Sequence, residues 1–333
     1  MAETAMREDD LVAAIAALAQ RPSRKIVLGI GDDAALWRPS RSNLSAITTD
    51  LLVEGVDFTR ALMSLEDAGY RAMSANASDL AAMGARPVLA TVALGLPAET
   101  APDDALAIYR GLRASADAAA LAIAGGDLSR APAIVIGIAA VGEVRPSDVK
   151  RRAGGRAGDV IAVTAPLGAS RAGLRVASGA VSIDDASAAA ALQAFRRPAA
   201  RCDEGRFLAA SRSVGAMMDC SDGLSIDLER LCTASGAGAE IDDVPFAACV
   251  VPVASALGED PERFALAGGE DFELIVAVRP RAFAHVARRY RARFGRELLR
   301  VGTLCAQPGI RLRGREIRRC GWDHFAAPAE TAR

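Results

Sequence analysis

The chain has 333 residues, of which 51% are hydrophobic and 24% are charged, and its formal net charge at pH 7 is -1. This length predicts two domains, because a single core rarely grows beyond about 250–300 residues. The nearly neutral charge disfavours a nucleic-acid-binding protein, which usually carries a basic stripe. The content of only two histidines disfavours a Ser-His-Asp triad and a histidine-rich zinc site.

Several features indicate a cytoplasmic protein without a membrane segment. No run of residues reaches the ~18 apolar positions that a membrane helix needs, and the N-terminal MAETAMREDD is acidic where a signal peptide would be basic. The six cysteines lie far apart and form no C-x-x-C pair, which favours reduced thiols. We therefore expect neither a membrane nor a nucleic acid among the partners.

The N-terminal half predicts short strands alternating with helices. Helices are expected at 7–20, 65–85 and 103–120, and strands at 25–30, 44–49, 86–96, near 121–124 and at 133–144. The composition then shifts around 146–158 to PSDVKRRAGGRAG. We place the domain boundary there, which gives an N-terminal domain of residues 1–145 and a C-terminal domain of residues 146–333.

The C-terminal half predicts an α+β or α/β arrangement with glycine-rich turns between its elements. Strands are expected near 159–164, 215–220, 238–242, 272–278 and 299–304, and helices at 168–178, 186–194, 199–212, 223–235 and 280–294. The alternation of the two types predicts a sheet with helices packed on it.

Residues 29–36, GIGDDAAL, follow the first strand and carry two adjacent aspartates, Asp32 and Asp33. The stretch fits G-x-G-x-x-A, with Asp50 about 20 residues on, as in a dinucleotide-binding fingerprint. A parallel crossover needs a helix of about ten residues, yet Pro39 and the polar SRSN interrupt the segment. Two aspartates would also repel the pyrophosphate. The stretch therefore predicts a hairpin that carries carboxylates.

Aspartates recur in similar settings along the chain. Each is expected at a strand end, on a helix or in a Gly/Ser-rich turn: Asp50 in ITTD, Asp79 in NASDLAAMGA, Asp127 in AGGD, and Asp219 and Asp222 in MMDCSDGL. Hard cations such as Mg²⁺ take carboxylates together with phosphate oxygens. Several such acids therefore indicate several magnesium ions on a polyphosphate. No Walker A sequence and no H-R-D or D-F-G kinase motif is present.

These segments together resemble the thiamine-monophosphate kinase family, within the wider group that includes aminoimidazole ribonucleotide synthetase. The matching segments run in family order: GIGDDAAL (29–36), TTDLLVEGVDF (48–58), SANASDLAAMGARP (74–87), AGGDLSR (124–130), RRAGGRAGD (151–159), MMDCSDGLSIDL (217–228), LAGGEDFEL (266–274) and GWDHF (321–325). They cover nearly the whole chain.

The resemblance implies a fold, an activity and partners. It implies an N-terminal mixed-sheet domain that pairs with a second subunit in a homodimer, and a C-terminal α/β-type domain. It implies transfer of the ATP γ-phosphate to thiamine monophosphate with Mg²⁺, which forms thiamine diphosphate. The acceptor is a phosphate monoester that is largely dianionic at neutral pH. A general base is therefore unnecessary, and we expect direct in-line transfer.

The resemblance also implies roles for individual residues. The implied magnesium ligands are Asp33, Thr48, Thr49, Asp50, Asp79, Asp127, Asp219 and Asp222. The implied ATP contacts are Gly126, Asp127, Arg152, Ser221 and Tyr109. The implied contacts with the thiamine moiety are Asp57, Glu270 and Trp322. Backbone N–H groups at Gly125 and Gly126 suit phosphate oxygens because no Cβ blocks their approach, and the guanidinium of Arg152 suits an oxygen pair.

Several of these residues have simpler interpretations. Arg152 could be a solvated linker charge beside Arg151 and Arg156, and Trp322 could close the core at the C-terminus. Asp32 could orient the turn and leave Asp33 as the ligand, or the reverse. The family usually carries histidine in the VEGVHF segment, where this chain has Asp57. Two further hypotheses are therefore a related ATP-dependent enzyme acting on another small phosphate or carboxylate, and a catalytically silent nucleotide-binding subunit.

Overall fold

The computed structural model describes residues 8–19, 23–30 and 34–322. The chain divides into two compact units. The first comprises Met1–Arg151, Ala177–Ala180 and Arg196–Val214, and the second comprises Arg152–Val176, Val181–Phe195 and Gly215–Arg333. Within the described ranges, no helix is both long enough and apolar enough to cross a membrane.

The elements that precede Arg151 are, in chain order, α1 Glu8–Ala19, β1 Ile26–Leu28, β2 Leu36–Trp37, β3 Leu44–Val53, α2 Leu65–Ala82, β4 Arg86–Leu96, α3 Pro102–Ala118, β5 Ala122–Arg130 and β6 Val135–Val144. The remaining elements are β7 Val160–Val163, α4 Ala169–Ala177, α5 Asp185–Arg196, α6 Cys202–Ala209, β8 Val214–Cys220, α7 Leu224–Ser235, β9 Gly238–Ile241, α8 Val250–Leu257, α9 Pro261–Leu266, β10 Glu273–Val278, α10 Pro280–Phe294, β11 Leu299–Cys305, β12 Ile310–Leu312 and β13 Arg315–Glu316.

The first unit is built on a four-stranded mixed sheet in the order β3-β6-β4-β5. Strands β3, β6 and β4 pair antiparallel, whereas β4 and β5 pair parallel. Helix α2 packs on β3 and β6 and against α3. The two helices approach closely because both carry glycine at the contact: a Cβ at Gly69 would lie 2.1 Å from the Ile108 carbonyl oxygen, and one at Gly111 would lie 1.7 Å from that of Glu66.

Strand β3 presents different residues to the two faces of this sheet. Thr48, Asp50 and Leu52 are half-buried or buried, whereas the side chains that alternate with them, Ile47 and Leu51, are 73% and 59% exposed. Such alternation is the normal consequence of the two-residue period of a strand. The strand therefore turns its acid inward and leaves two large apolar side chains on the open face.

Strands β1 and β2 pair antiparallel, which confirms the hairpin and excludes the dinucleotide-binding crossover. Asp32 and Asp33 lie outside the described residues. The base of the hairpin is held by the buried carboxylate of Glu143 on β6. This group accepts hydrogen bonds from the Lys25 ammonium at 2.8 and 3.0 Å and from the Ser40 N–H at 2.9 Å, and it pairs with Arg86 at 3.1 Å.

The second unit contains a seven-stranded sheet in the order β13-β12-β9-β11-β7-β10-β8. The five strands and the five helices predicted for the C-terminal half are present, α10 at the predicted bounds and the others with shifted ends. The sequence pattern missed α8, α9, β12 and β13. Helix α8, VVPVASAL, is apolar on most sides and carries a proline, and the other three elements have at most six residues. An evenly apolar helix and elements this short show no hydrophobic periodicity from which a helix or a strand could be predicted.

Two of the predicted strand ends were wrong in a way that matters for the acids. The strand expected to end at residue 49 continues to Val53, so that Asp50 lies inside β3. The strand expected near 121–124 continues through Gly125 and Gly126 to Arg130, so that Asp127 lies inside β5. Pairing with β6 and β4 extends both strands past the points at which the local sequence favours a turn.

Candidate active site

Two acids and a threonine of the first unit come together where α2 crosses β3. Thr48 on β3 donates a hydrogen bond from its hydroxyl to the Asp79 carboxylate on α2. Asp50 lies two residues further along β3, on the same face of the strand. Burial and, secondly, the charge of Asp79 raise the pKa of Asp50 to about 6, from an ordinary value of 3.8. The structure therefore brings Thr48 and Asp50 together with Asp79, which follows Thr48 by 31 positions in the sequence.

The pKa of Asp50 is raised mainly because its carboxyl is buried, and secondly because the Asp79 carboxylate lies nearby. Such an arrangement favours a proton or a cation over the ionised, empty pair. Thr49, between Thr48 and Asp50, follows on the opposite face and donates its hydroxyl to the Ile138 carbonyl oxygen at 2.8 Å. Its side chain is thus placed apart from that pair.

The AGGD segment lies on β5, at the other edge of the same sheet. Asp50 pairs with Ile138, Ile138 with Val92 and Val92 with Gly126, so that these residues form one row across the four strands. Three strand spacings separate the two ends of the row by about 14 Å. Asp50 and the neighbour of Gly126, Asp127, are therefore too far apart within one chain to bind the same ion.

The two glycines before Asp127 differ in their surroundings. A Cβ at Gly126 would lie 2.1 Å from the Val92 carbonyl oxygen. Strand packing is therefore a sufficient reason for glycine at this position. A Cβ at Gly125 would meet nothing closer than 3.8 Å. A methyl group at position 125 would therefore make only ordinary van der Waals contacts, so that strand packing does not require glycine there.

Tyr109 lies on α3 and is buried. Burial and then the charge of Asp127 raise the pKa of its hydroxyl to about 12. The charge of Asp127 on β5 thus acts on the Tyr109 hydroxyl, so that these two predicted ATP contacts lie in one region of the first unit. The phenol stays protonated at neutral pH.

The carboxylate of Asp57 is hydrogen-bonded to the backbone at the end of β3, four residues earlier in the chain. It accepts a hydrogen bond from the Val53 N–H at 2.8 Å, and its charge acts on the fully buried guanidinium of Arg71. Burial lowers the pKa of Arg71 to about 10, against the opposing effect of Asp57. A histidine in place of Asp57 would leave this buried cation without that negative charge, which gives the departure from the family pattern a structural role.

In the second unit, the loop between β8 and α7 is held by a carboxylate that the sequence reasoning did not single out. The N–H groups of Ser221 and Asp222 both donate to one oxygen of Asp227 at 2.9 Å. Asp227 is fully buried, and burial raises its pKa to about 6. Arg230 bridges Asp222 and Asp227 through one guanidinium nitrogen. The quoted segment MMDCSDGLSIDL contains Asp227, so a signal existed: an aspartate five residues after Asp222 within the first turn of a predicted helix.

Two further segments lie against this loop. The Glu270 N–H donates to the Ser221 carbonyl oxygen at 2.6 Å, and the Trp322 N–H donates to that of Asp222 at 3.0 Å. Gly321 is required there, because its Cβ would lie 2.2 Å from the same oxygen of Asp222. The side chain of Trp322 is 51% exposed. The structure thus brings together Ser221, Asp222, Glu270 and Trp322, and it presents the indole on the surface instead of in the core.

Two further predicted residues belong to the second unit. Asp219 lies on β8 and is buried, and Arg152 has an exposed side chain at the start of the second unit. Among the residues that the structure describes, no three His, Cys, Asp or Glu side chains form a ready metal cage. Asp50 and Asp79 nevertheless suit magnesium, which typically takes one or two protein carboxylates and completes its shell with phosphate oxygens and water.

Family models match both halves of the chain. The AIR synthase related protein N-terminal domain matches residues 31–144, and the corresponding C-terminal domain matches residues 156–315.

Curated relatives and solved structures agree with these matches. The thiamine-monophosphate kinase of Synechococcus elongatus is 35% identical over 289 residues, covering 85% of this chain and 86% of the relative, and that of Aquifex aeolicus is 31% identical, covering 89% and 92%. The crystal structure of the thiamine-monophosphate kinase from Stenotrophomonas maltophilia K279a superimposes with a TM-score of 0.81 at 31% identity, over 95% of this chain and 98% of that chain. AaThiL complexed with AMPPCP and TMP gives 0.76 at 29% identity, over 97% and 100%.

Proposed function

The chain belongs to the AIR synthase related protein family, and we propose that it acts as a thiamine-monophosphate kinase, which transfers the γ-phosphate of ATP to thiamine monophosphate. Two half-buried carboxylates carry this proposal from the side of the structure: Asp50 and Asp79 face each other with a raised pKa at Asp50. Two neighbouring acids with a raised pKa suit a site at which a cation offsets the repulsion between anions.

The proposed reaction is a direct displacement. A terminal oxygen of the acceptor phosphate forms a bond to the γ-phosphorus of ATP while the bond to the β–γ bridging oxygen breaks, and ADP leaves with that electron pair. The acceptor is already ionised near pH 7, so the chain needs no base to remove a proton. The contribution of the protein is to position two anions and to offset their repulsion.

Magnesium would supply the positive charge for this approach. Within the first unit we propose Thr48, Asp50 and Asp79 as one ligand set and Asp127 as a ligand at the β5 edge, with Thr49 and Asp33 as further predicted ligands. Asp219 and Asp222 are the proposed ligands of the second unit. Bound metal would remove the cost of the Asp50–Asp79 pair, which is the physical reason for expecting it there.

The proposed nucleotide and acceptor contacts follow the same division. Gly126, Asp127 and Tyr109 are the proposed ATP contacts within the first unit, and Arg152 and Ser221 are those within the second, each unit taken by itself. Glu270 and Trp322 are proposed to bind the thiamine moiety, since a carboxylate complements a cationic ring and an exposed indole offers a stacking surface. Asp57 stays a predicted substrate contact.

A homodimer is also proposed, joined through the open face of the four-stranded sheet. Ile47 and Leu51 expose large apolar surfaces there, and paired sheets commonly cover such a face. The separation of about 14 Å between Asp50 and the β5 edge gives a second reason. A second copy could bring the β5 edge of one sheet to the β3 edge of the other. We further propose a cytoplasmic location, where the six free cysteines would stay reduced.

The direct test is product formation. The purified protein is incubated with Mg-ATP and thiamine monophosphate, and thiamine diphosphate and ADP are quantified by chromatography. We expect equal amounts of both products, loss of turnover in Asp50→Asn, and wild-type turnover in the control Asp103→Asn, which alters an exposed aspartate on α3. A protein that binds Mg-ATP and forms no thiamine diphosphate would contradict the proposal.

A further inference from the structure

The turn that carries Glu270 has an unusual backbone. Among the described residues, four non-glycine residues have a positive φ, and two of them, Glu270 at 63° and Phe272 at 51°, flank Asp271. Left-handed backbone at non-glycine residues is unfavourable and persists only where the surroundings enforce it. Two such residues within three positions therefore need strong local restraints.

Backbone contacts supply part of this restraint. The N–H groups of Glu270 and Phe272 donate to the carbonyl oxygens of Ser221 and Cys220, at 2.6 and 3.0 Å. Gly269 lets the turn lie against the same loop, because a Cβ there would be 2.8 Å from the Ser221 carbonyl oxygen. These bonds attach the turn to the β8–α7 loop on one side.

Asp271 attaches the turn on the other side. Its two carboxylate oxygens accept separate hydrogen bonds, one from the Gly168 N–H at 2.6 Å and one from the Ser170 N–H at 3.0 Å, at the start of α4. The residue is buried. Two bonds, one to each oxygen, fix the orientation of the carboxylate as well as its position.

We propose that Asp271 is a positioning residue for acceptor recognition: by locking the turn to the start of α4, it holds Glu270 in the left-handed conformation that directs its carboxylate to the thiamine moiety. This assignment rests on the proposed function. Asp271 itself accepts hydrogen bonds from backbone N–H groups of the protein.

The test is a double-mutant cycle with a matched control. Asp271→Asn, Glu270→Gln and the double variant are compared in KM for thiamine monophosphate, in kcat and in Kd for Mg-ATP. The control is Asp184→Asn, which alters another helix-capping aspartate of the second unit, bonded to the Ser187 N–H at 2.9 Å on an exposed surface. An amide at position 271 keeps one acceptor oxygen and turns N–H donors towards a backbone donor.

We expect Asp271→Asn to raise the KM for thiamine monophosphate at least tenfold while the Kd for Mg-ATP changes less than threefold. The double variant should be no more than threefold worse than Glu270→Gln alone, because the two residues act as one unit. Asp184→Asn should match the wild type. An unchanged KM in Asp271→Asn, or effects that multiply in the double variant, would overturn the assignment while wild-type turnover upholds the proposed function. Wild-type protein that binds Mg-ATP but forms no product overturns both.

If Asp271→Asn alone does not fold, the same change is made together with Glu270→Gly. Glycine adopts the left-handed conformation at position 270 without steric cost. Recovery of folding in that double variant, measured by circular dichroism and size-exclusion chromatography, supports the coupling of Asp271 to the backbone of residue 270. Failure of both variants to fold overturns it, since Asp271 would then serve α4 alone.

Discussion

Neutralising Asp50 should abolish turnover and at the same time stabilise the metal-free protein. The pKa of Asp50 rises from 3.8 to about 6, first because of burial and secondly because of Asp79. A shift of about 2 units corresponds to about 3 kcal/mol, and solvent screening of this half-buried group reduces it to about 2 kcal/mol. Asp50→Asn removes this cost and should raise the free energy of unfolding by that amount at pH 7.5.

The sign of the pH dependence follows from the raised pKa. Below pH 3.8 the carboxyl is protonated in both states and costs nothing. Between pH 3.8 and about 6 the unfolded chain releases its proton first, so that the wild type loses stability as the pH rises. The advantage of Asp50→Asn should therefore be near zero at pH 4, grow through pH 6 and stay constant above it.

Urea denaturation without magnesium at pH 4.5, 6 and 7.5 measures this difference, and assays with saturating Mg-ATP measure kcat. In the presence of Mg-ATP the order of stability should reverse, because ligand at 100 times its Kd stabilises the wild type by about 2.7 kcal/mol. If Asp50→Asn retains more than about a tenth of the wild-type kcat, the loss of transition-state stabilisation is below ~1.4 kcal/mol. That result would refute the assignment of Asp50 as a metal ligand. A stability difference that does not vary with pH refutes the electrostatic reasoning.

Three further predictions concern the first unit. Gly126→Ala should destabilise the fold, since its Cβ would lie 2.1 Å from the Val92 carbonyl oxygen. Gly125→Ala, by contrast, should keep the melting temperature of the wild type and weaken ATP binding at least tenfold. Equal Kd values for ATP in Gly125→Ala and the wild type, measured by calorimetry, would exclude a phosphate contact at position 125. Ile47→Glu should give a monomer by multi-angle light scattering at micromolar concentration, and a monomeric wild type would contradict the proposed dimer. Glu143→Gln should lower the free energy of unfolding by about 2 kcal/mol at pH 7, less than for a fully buried pair because Lys25 stays partly exposed. Burial raises the pKa of Glu143, but hydrogen bonds and nearby cations lower it below 4.5 overall. The ionised Glu143 therefore stabilises the fold above pH 4.5, and this stabilisation is lost as the pH falls through the pKa of the folded state. A difference in unfolding free energy between Glu143→Gln and the wild type that persists unchanged at pH 3 would refute the ion-pair explanation.

Local patterns in the sequence predicted most elements and the chemical class of the site. Runs of β-branched residues marked the strands, and the helical period marked α2, α3, α7 and α10 at nearly the observed bounds. The hairpin at GIGDDAAL followed from Pro39 and from the repulsion between carboxylates and phosphate. These inferences needed only neighbours in the chain, which is why they could be made without coordinates.

The tertiary structure decided which of the acids meet and what holds them. The proximity of Asp50 and Asp79 depends on where α2 crosses β3, and the burial that raises the pKa of Asp50 exists only once that packing forms. Gly126 proved necessary because a neighbouring strand approaches it. Asp227 and Asp271 bind backbone N–H groups of loops and helices whose direction no local pattern specifies. Residue types and spacing along the chain therefore determined the chemistry available to this protein, whereas contacts between distant segments, set by packing and register, determined the geometry in which each group is held.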